Sequence, residues 1–139
     1  IRCVILTGAG KTFSAGGDVK AMLDKTGMFA GEPFELRNRY LNGIHRVPRR
    51  IARFEKPLIA AINGAAIGAG LDLACMCDIR IAASTARFGA TFLKMGLLPG
   101  DGGAWLLPRH IGWSRAAQLF FTGELIDADT ACKWGLVSE

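Results

Sequence analysis

The chain has 139 residues, of which 50% are hydrophobic, 21% are charged and 9% are aromatic, a composition typical of a single globular domain. Seventeen Lys and Arg against twelve Asp and Glu give a net charge of +5, which favours polyanionic partners: nucleic acid, an anionic surface or a phosphorylated small molecule. No apolar run reaches the ~18 residues of a membrane-spanning helix, and no basic-then-apolar signal pattern opens the sequence, so neither feature is expected.

The spacing of apolar residues and the positions of Gly and Pro predict alternating strands and helices. In chain order we predict a strand at 2–6, a loop at 7–17, a helix at 18–25, a loop at 28–32, a helix from 33 interrupted near 47, a strand at 58–62, a helix at 71–76, a strand at 79–83, a short strand and loop at 88–95, helices at 102–110 and 114–121, and a helix at 127–134. Asp18 and Asp127 are predicted N-caps, and Pro48 is expected to break the second helix. The alternation indicates an α/β fold in one domain, residues 1–139.

Both ends of the sequence look internal to a longer fold. Residues 2–6 form a predicted strand almost at the first residue, and residues 135–139 stop where another strand is expected to start. Four irregularly spaced cysteines are too few for a disulfide scaffold, so we expect reduced, mostly buried thiols. This cysteine usage favours a cytoplasmic location, or an organelle matrix if a targeting segment precedes the sequence.

Several motifs of nucleotide binding and catalysis are incomplete. The segment Gly-Lys-Thr at 10–12 lacks the earlier glycine of a phosphate-binding loop, because Ile5 stands there. A Gly-Ala-Gly segment at 68–70 lacks the third glycine of a dinucleotide fingerprint, because Leu73 stands there. Neither His45 nor His110 has neighbours that suggest a triad or a metal site, so both are expected to be ordinary surface or helix-end histidines, and no metal is predicted.

Six arginines crowd the region of the second predicted helix: Arg37, Arg39, Arg46, Arg49, Arg50 and Arg53. A solvated helix face is the simplest explanation for them. A phosphate-binding role or a subunit contact remains an alternative.

Two loops of small residues, at 14–18 and 63–72, each lie between a predicted strand and a predicted helix. Small residues let a ligand approach the backbone closely, and the start of a helix presents unpaired N–H groups. Two such N–H groups aimed at one point would form an oxyanion hole, in which loss of one donor typically costs ~10²–10³ in rate. Tight strand–helix turns, with Gly chosen for packing, are the alternative explanation.

Taken together, these segments resemble the enoyl-CoA hydratase/isomerase (crotonase) family over essentially the whole chain. The matching segments are Ile-Leu-Thr-Gly at 5–8, Phe-Ser-Ala-Gly-Gly-Asp-Val-Lys at 13–20, Lys-Pro-Leu-Ile-Ala-Ala-Ile-Asn-Gly at 56–64, Gly-Ala-Gly-Leu-Asp-Leu-Ala at 68–74, Cys-Asp-Ile-Arg at 77–80, Phe-Gly at 88–89, Pro-Gly-Asp-Gly-Gly at 99–103 and residues 119–123. The resemblance implies a crotonase-like spiral of ββα units, incomplete at both ends, that assembles into homotrimers or hexamers.

The resemblance also implies a coenzyme A thioester as substrate, with no separate cofactor, because coenzyme A is part of the substrate. By position, the backbone N–H groups of Ala15 and Ala69 would bind the thioester oxygen and stabilise an enolate. The substrate-binding residues implied are Ala15, Gly16, Gly17, Asp18, Lys20, Gly68, Gly70 and Phe92. Neither a membrane nor nucleic acid is expected as a partner.

The acid/base positions depart from the family pattern of two glutamates. Asp72 matches the first position and Phe92 the second, and a phenyl ring cannot transfer a proton. Asp101 is the obvious replacement for the missing acid, so Asp72 and Asp101 are the predicted catalytic residues. Alternatively, Asp101 is a helix N-cap and Asp72 is a first-turn acid that complements the helix dipole.

The predicted function is therefore that of an enoyl-CoA hydratase/isomerase-type enzyme, a lyase or isomerase. The alternatives are a non-catalytic crotonase-fold protein that binds acyl-CoA or RNA, and an inactive fragment. Phe92 and the arginine-rich region motivate the second interpretation.

Overall fold

The computed structural model describes residues 1–139. The strands are β1 (Val4–Thr7), β2 (Thr12–Ser14), β3 (Leu58–Ile62), β4 (Ala65–Ile67), β5 (Ile79–Ala82), β6 (Arg87–Gly89) and β7 (Ile126–Asp127). The α-helices are α1 (Val19–Leu23), α2 (Pro33–Asn42), α3 (Arg46–Ile51), α4 (Ala69–Cys75), α5 (Gly103–Ile111), α6 (Trp113–Thr122) and α7 (Ala128–Trp134). Two 3₁₀ helices span Gly27–Phe29 and Thr91–Met95.

The strands form two sheets that the chain visits in turn. One sheet has the order β1-β3-β5 and the other β2-β4-β6-β7, and all pairs are parallel except β6 with β7. The chain therefore adds one strand to each sheet and then passes through helices three times, and β7 joins the second sheet alone. This arrangement confirms the predicted α/β spiral of ββα units.

The strands of the second sheet were not all predicted. Loops were predicted at 7–17 and 63–72, but they contain β2 and β4. Strands of three residues are too short to show the period-2 pattern by which strands are recognised. Asn63 joins the turn after β3 to the turn after β1, since its Oδ1 accepts from Gly8 N at 3.0 Å and its Nδ2 donates to Gly10 O at 3.0 Å. The segment at 8–12, which contains Gly-Lys-Thr, is thus a turn held by hydrogen bonds to Asn63.

The helices between β2 and β3 confirm one prediction and correct another. The Asp18 side chain caps α1 by accepting from Ala21 N at 2.9 Å, as predicted. The helix from Pro33 ends at Asn42, however, and Gly43, at φ −107° and ψ −105°, is its C-cap before α3. Pro48 falls in the first turn of α3, where its missing N–H needs no partner, and it does not break the helix.

The core lies between the sheets and α4 to α7, and Phe88, Ile62, Leu71 and Leu107 are among its largest fully buried side chains. None of the helices has the length and hydropathy that a bilayer-spanning segment needs. Asp127 caps α7 by accepting from Thr130 N, as predicted.

The end of the chain and the cysteines depart partly from prediction. No strand is assigned after residue 134, but Ser138 N donates to Arg80 O and Ala82 N donates to Glu139 O, both at 2.8 Å, so the chain end runs beside β5. Cys75 and Cys77 are buried, whereas Cys3 and Cys132 are exposed. The expectation of mostly buried thiols therefore holds for only two of the four cysteines.

Candidate active site

Two glycine-containing turns touch each other at the ends of β2 and β4. The strands pair in parallel with Ser14 opposite Ala66, so the turns that follow them lie side by side. A Cβ on Gly70 would lie 2.2 Å from Ser14 O, and a Cβ on Gly16 would lie 2.7 Å from Ile67 O. Gly16 also has φ +87°, a conformation that favours glycine. Only glycine permits this backbone-to-backbone contact.

The turns carry the two amides predicted to bind the thioester oxygen. Ala69 is the first residue of α4, so its N–H has no acceptor within the helix. Ala15 directly follows β2. Neither N–H donates to a backbone acceptor in a turn, loop or cap. Two backbone donors from different turns are therefore free for a ligand.

Both alanines line a cavity of about 850 Å³. We call residues 15–17 with 68–69 the floor of this cavity, and residues 18–45 its wall. A third side comes from residues 91–101. The cavity brings together eight of the predicted site residues: Ala15, Gly16, Gly17, Asp18, Gly68, Ala69, Phe92 and Asp101. Lys20, Gly70 and Asp72 are absent from its lining.

Lys20 and Gly70 lie outside the lining. Lys20 is an exposed residue of α1. Gly70 lies under the floor against Ser14. Contact of Lys20 or Gly70 with a substrate stays a prediction.

Asp72 is a buried carboxyl group behind the cavity lining. It lies in the first turn of α4, 1% exposed, and its Oδ2 has no hydrogen-bond partner. Burial raises its pKa to about 7; the charge of Asp101 adds to this effect, and a hydrogen bond from the Gly103 amide opposes it. A Cβ on Gly103 would lie 1.9 Å from Oδ1, so the start of α5 packs directly on the carboxyl group. A group with this pKa exchanges its proton near neutral pH.

Asp101 lies on the loop before α5 and faces the cavity. Its Oδ1 is buried and accepts no hydrogen bond. Burial raises the pKa of Asp101, and the nearby His45 lowers it. The alternative interpretation of Asp101 as a helix N-cap is wrong, because Gly102 is the N-cap of α5 and no side chain caps the helix.

His45 belongs to the same cavity, which the sequence interpretation missed. Its Nε2 lies 3.9 Å from Asp101 Oδ1, and its ring packs edge-on against Tyr40 with ring centroids 5.9 Å apart. His45 is the N-cap residue of α3, which confirms the expectation of a helix-end histidine, but the expectation of an ordinary surface residue is wrong. Its partner is 56 residues away in sequence, and no motif around His45 indicates that the two side chains meet.

His110 is a helix-end residue, as expected. It lies in the last turn of α5, where its Nε2 is 3.0 Å from Cys75 O and its Nδ1 is 3.4 Å from Arg80 Nη2. Burial lowers its pKa.

Phe92 covers the cavity beside the floor. It lies in the second 3₁₀ helix, half-buried, and its Cζ would be 4.0 Å from a Cβ on Gly68. The position that matches the second glutamate of the family therefore presents an apolar ring, and Asp101 is the one acid among the lining residues at 91–101.

The arginines do not share one helix. Arg37 lines the cavity, and Arg39 donates to Gly27 O at 3.1 Å and to Ala30 O. Four others line an open groove of about 810 Å³ beside α3: Arg46, Arg49, Arg50 and Arg53. None of these four forms an ion pair within the chain.

Comparison with known proteins decides the family. The family model of enoyl-CoA hydratase/isomerase matches residues 1–139. The chain belongs to the enoyl-CoA hydratase/isomerase family. It is 44% identical over its full length to the short-chain-enoyl-CoA hydratase of Clostridium acetobutylicum, of which it covers 51%. It is 43% identical over 99% of its length to the 1,2-epoxyphenylacetyl-CoA isomerase of Escherichia coli, again over 51% of that protein.

Solved structures of family members share the fold. The crystal structure of enoyl-CoA hydratase from Bacillus anthracis superimposes with a TM-score of 0.85 at 39% identity, over 98% of this chain and 51% of that one. The chain thus spans about half the length of the enoyl-CoA hydratase/isomerase relatives that it matches.

Proposed function

We propose that the protein is an enoyl-CoA hydratase/isomerase-type enzyme that polarises an acyl-CoA thioester between the amides of Ala15 and Ala69. The observation that carries the proposal is the contact of the two turns at one cavity, with the Asp101 carboxyl group on the same surface. The names of the two relatives are those of a hydratase and an isomerase acting on CoA thioesters. Coenzyme A belongs to the substrate, and no further cofactor is part of the proposal.

The amides supply the electrostatic part of the reaction. As a proton leaves the α-carbon, or as water adds to the β-carbon, negative charge moves onto the thioester oxygen. Two N–H donors fixed by touching turns stabilise that charge without reorganising, because the backbone is already in place. Their position at the turns is independent of side chains, so alanine serves as well as glycine.

The carboxyl groups supply the proton transfer. Asp101 faces the cavity and takes a proton from the substrate carbon or from the attacking water. Asp72 is the second acid/base in the proposal, since a pKa of about 7 lets it hold or release a proton near neutral pH. Each proton removed from substrate or water is returned to a carbon, so hydration and double-bond migration use the same two groups.

Turnover of an enoyl thioester tests the proposal. The protein expressed from its complete reading frame is mixed with a short-chain trans-2-enoyl-CoA, and the conjugated absorbance is followed. We expect Asp101→Asn to lower kcat/KM by about 10²–10⁴ and Asp72→Ala to lower it as well. Lys133→Ala, an exposed change on α7, is the control. Full activity in Asp101→Asn would contradict the assignment.

Binding without turnover would favour the alternative of a non-catalytic acyl-CoA-binding protein. Phe92, in place of a second glutamate, is the observation behind that alternative. Acyl-CoA would then raise the melting temperature of an inactive protein. Salt-dependent RNA binding with no response to acyl-CoA would instead indicate that the unpaired arginines of α3 bind nucleic acid.

Assembly into homotrimers or hexamers, in the cytoplasm, completes the proposal. Trp113 and Phe121, both on α6, are 77% and 78% exposed, and Leu98 is 88% exposed. Apolar surface of this kind is normally covered by another subunit or by further chain. Light scattering of the protein from the complete reading frame tests the assembly, and a monomer would contradict it.

A further inference from the structure

Asp101 and His45 form the one ion pair of the chain in which the two groups approach within 4.0 Å. The side chains of His45 and Asp101 are 26% and 14% exposed, so the pair is largely sheltered from water. Both residues line the cavity that holds the two free amides. The pair therefore lies where a substrate would be held.

The fold holds His45 in place from both sides along the chain. His45 N donates to Tyr40 O at 3.1 Å, and His45 O accepts from Arg49 N at 3.4 Å. Tyr40 is itself fixed by Phe29, whose ring centroid is 6.1 Å away in an edge-on contact. The imidazole thus sits between the Tyr40 ring and the Asp101 carboxyl group.

Few groups face Asp101, and only one of them favours its ionised form. The charge of Asp101 raises the pKa values of Asp72 on α4 and Tyr40 on α2, so neither group favours a charged Asp101 by its own ionisation. Arg37 and Asp18 line the same cavity without an ion pair to it. Oδ1 receives no hydrogen bond from its own loop. The carboxylate therefore depends on His45 for its one favourable charge partner.

We propose that His45 is the positioning residue of Asp101, and that the His45–Asp101 pair takes the role of the glutamate that Phe92 replaces. The proposal rests on the proposed function. Protonated His45 holds the Asp101 carboxylate toward the cavity and keeps it able to accept a proton. The imidazole itself need not touch the substrate.

The pair links activity to pH in a defined direction. His45 lowers the pKa of Asp101 against the effect of burial, so its removal leaves a carboxyl group that stays protonated to higher pH. Because Asp101 acts as the base, the acid limb of kcat/KM then moves to higher pH. Asp72 interacts with Asp101, so the two carboxyl groups titrate as a pair and the limb is assigned to both.

The test compares pH profiles of kcat/KM for the wild type, His45→Phe and His45→Lys, each from the complete reading frame and assayed with a trans-2-enoyl-CoA. His45→Phe keeps a ring against Tyr40 but has no charge, and its acid limb should move up by about one pH unit, so activity below the limb falls about tenfold and recovers at high pH. His45→Lys restores the charge and should return the limb toward its wild-type position. His110→Gln, which changes the other histidine, should leave the limb in place.

Carbon-13 titration of the Asp101 carboxyl group, without substrate, separates this inference from the proposed function. The pKa of Asp101 should rise in His45→Phe and not in His110→Gln. If the wild type turns over no enoyl-CoA but this shift is present, the proposed function fails and the pairing stands. If the wild type is active while both the acid limb and the Asp101 titration are unchanged in His45→Phe, the inference is overturned.

Discussion

The floor of the cavity and its wall differ in how they are tied to the core. The turn at 68–72 is almost entirely buried, and it is held by backbone contacts that allow no Cβ at Gly70. The wall, by contrast, lies within residues 14–57, which contain no buried residue. Ala69, one of the two amides proposed to bind the thioester oxygen, therefore sits on the stable part of the fold, whereas Ala15 and His45 sit on a part that opens more easily.

This difference suits a site that must be both accurate and accessible. Oxyanion donors act only if they are fixed before the reaction, which the touching turns ensure. A ligand must also enter an 850 Å³ cavity, and a segment with few buried contacts can open at low cost. Substitutions near the floor and in the wall should consequently differ in how much they destabilise the protein and in how far along the chain the effect extends.

Gly70→Ala should give the largest effect, because the new Cβ would meet the Ser14 carbonyl oxygen at 2.2 Å and the backbone contact cannot relax cheaply. We expect a loss of about 3 kcal/mol or more in the free energy of unfolding, measured by urea denaturation. Gly100→Ala is the matched control, since its Cβ would meet nothing nearer than 3.8 Å. Equal urea midpoints for both variants would show that the backbone contact beneath the floor tolerates a Cβ as well as an open loop does.

Asp72→Asn, a change next to the floor, should raise the free energy of unfolding by an amount that depends on pH. The folded protein binds a proton at Asp72 up to a pKa of about 7, whereas the unfolded chain releases it near 3.8, so this carboxyl group lowers stability as pH rises from 4 to 7. The loss reaches about 4 kcal/mol above pH 7. Asparagine does not titrate, so the variant should have a larger free energy of unfolding than the wild type at pH 8. At pH 4 the two should differ little.

Urea denaturation at several pH values measures the Asp72 effect. Asp129→Asn, which removes an exposed carboxylate from α7, should not alter the pH dependence. A wild-type stability that stays flat between pH 4 and 8 would show that Asp72 is not held in its protonated form.

Arg39→Ala should have the smallest effect and a local one, since it removes the guanidinium that joins α2 to Gly27 O and Ala30 O. We expect about 1 kcal/mol of local destabilisation, seen as roughly fivefold faster amide exchange over residues 27–42 with little change in the floor. The Arg49 side chain is exposed and has no hydrogen-bond or ion-pair partner, so Arg49→Ala should change neither the stability nor the amide exchange. Faster exchange across β3 and α4 would mean that wall and core unfold together.

The sequence allowed most of the fold to be predicted because its signals are local. Asp18 and Asp127 mark helix starts by their own side chains, and the apolar run of β3 marks a strand. The break between α2 and α3 was assigned to Pro48 and occurs at Gly43, because a proline in the first turn is compatible with a helix. β7, with two residues, carries no pattern that a sequence could show.

The site was predictable where it is made of backbone and not where it is made of distant side chains. Gly16, Gly68 and Gly70 stand in short motifs, and the turns that contain them lie together because parallel strands end at the same edge. His45 has no such motif, because its place beside Asp101 depends on the path of the chain through the wall. The position of Asp72 behind the lining also depends on how α5 packs on α4.

The alternation of strands between two sheets has one more consequence. Each coil of the spiral is closed by its own strand pairings, whereas the excursion from residue 18 to residue 57 contributes no strand to either sheet. Its length and chemistry can drift through evolution, or be exchanged by grafting, with little disturbance to the stacked coils that carry the amides. The cavity wall and the two amides proposed to bind the thioester oxygen are thereby encoded in separable stretches of one short polypeptide.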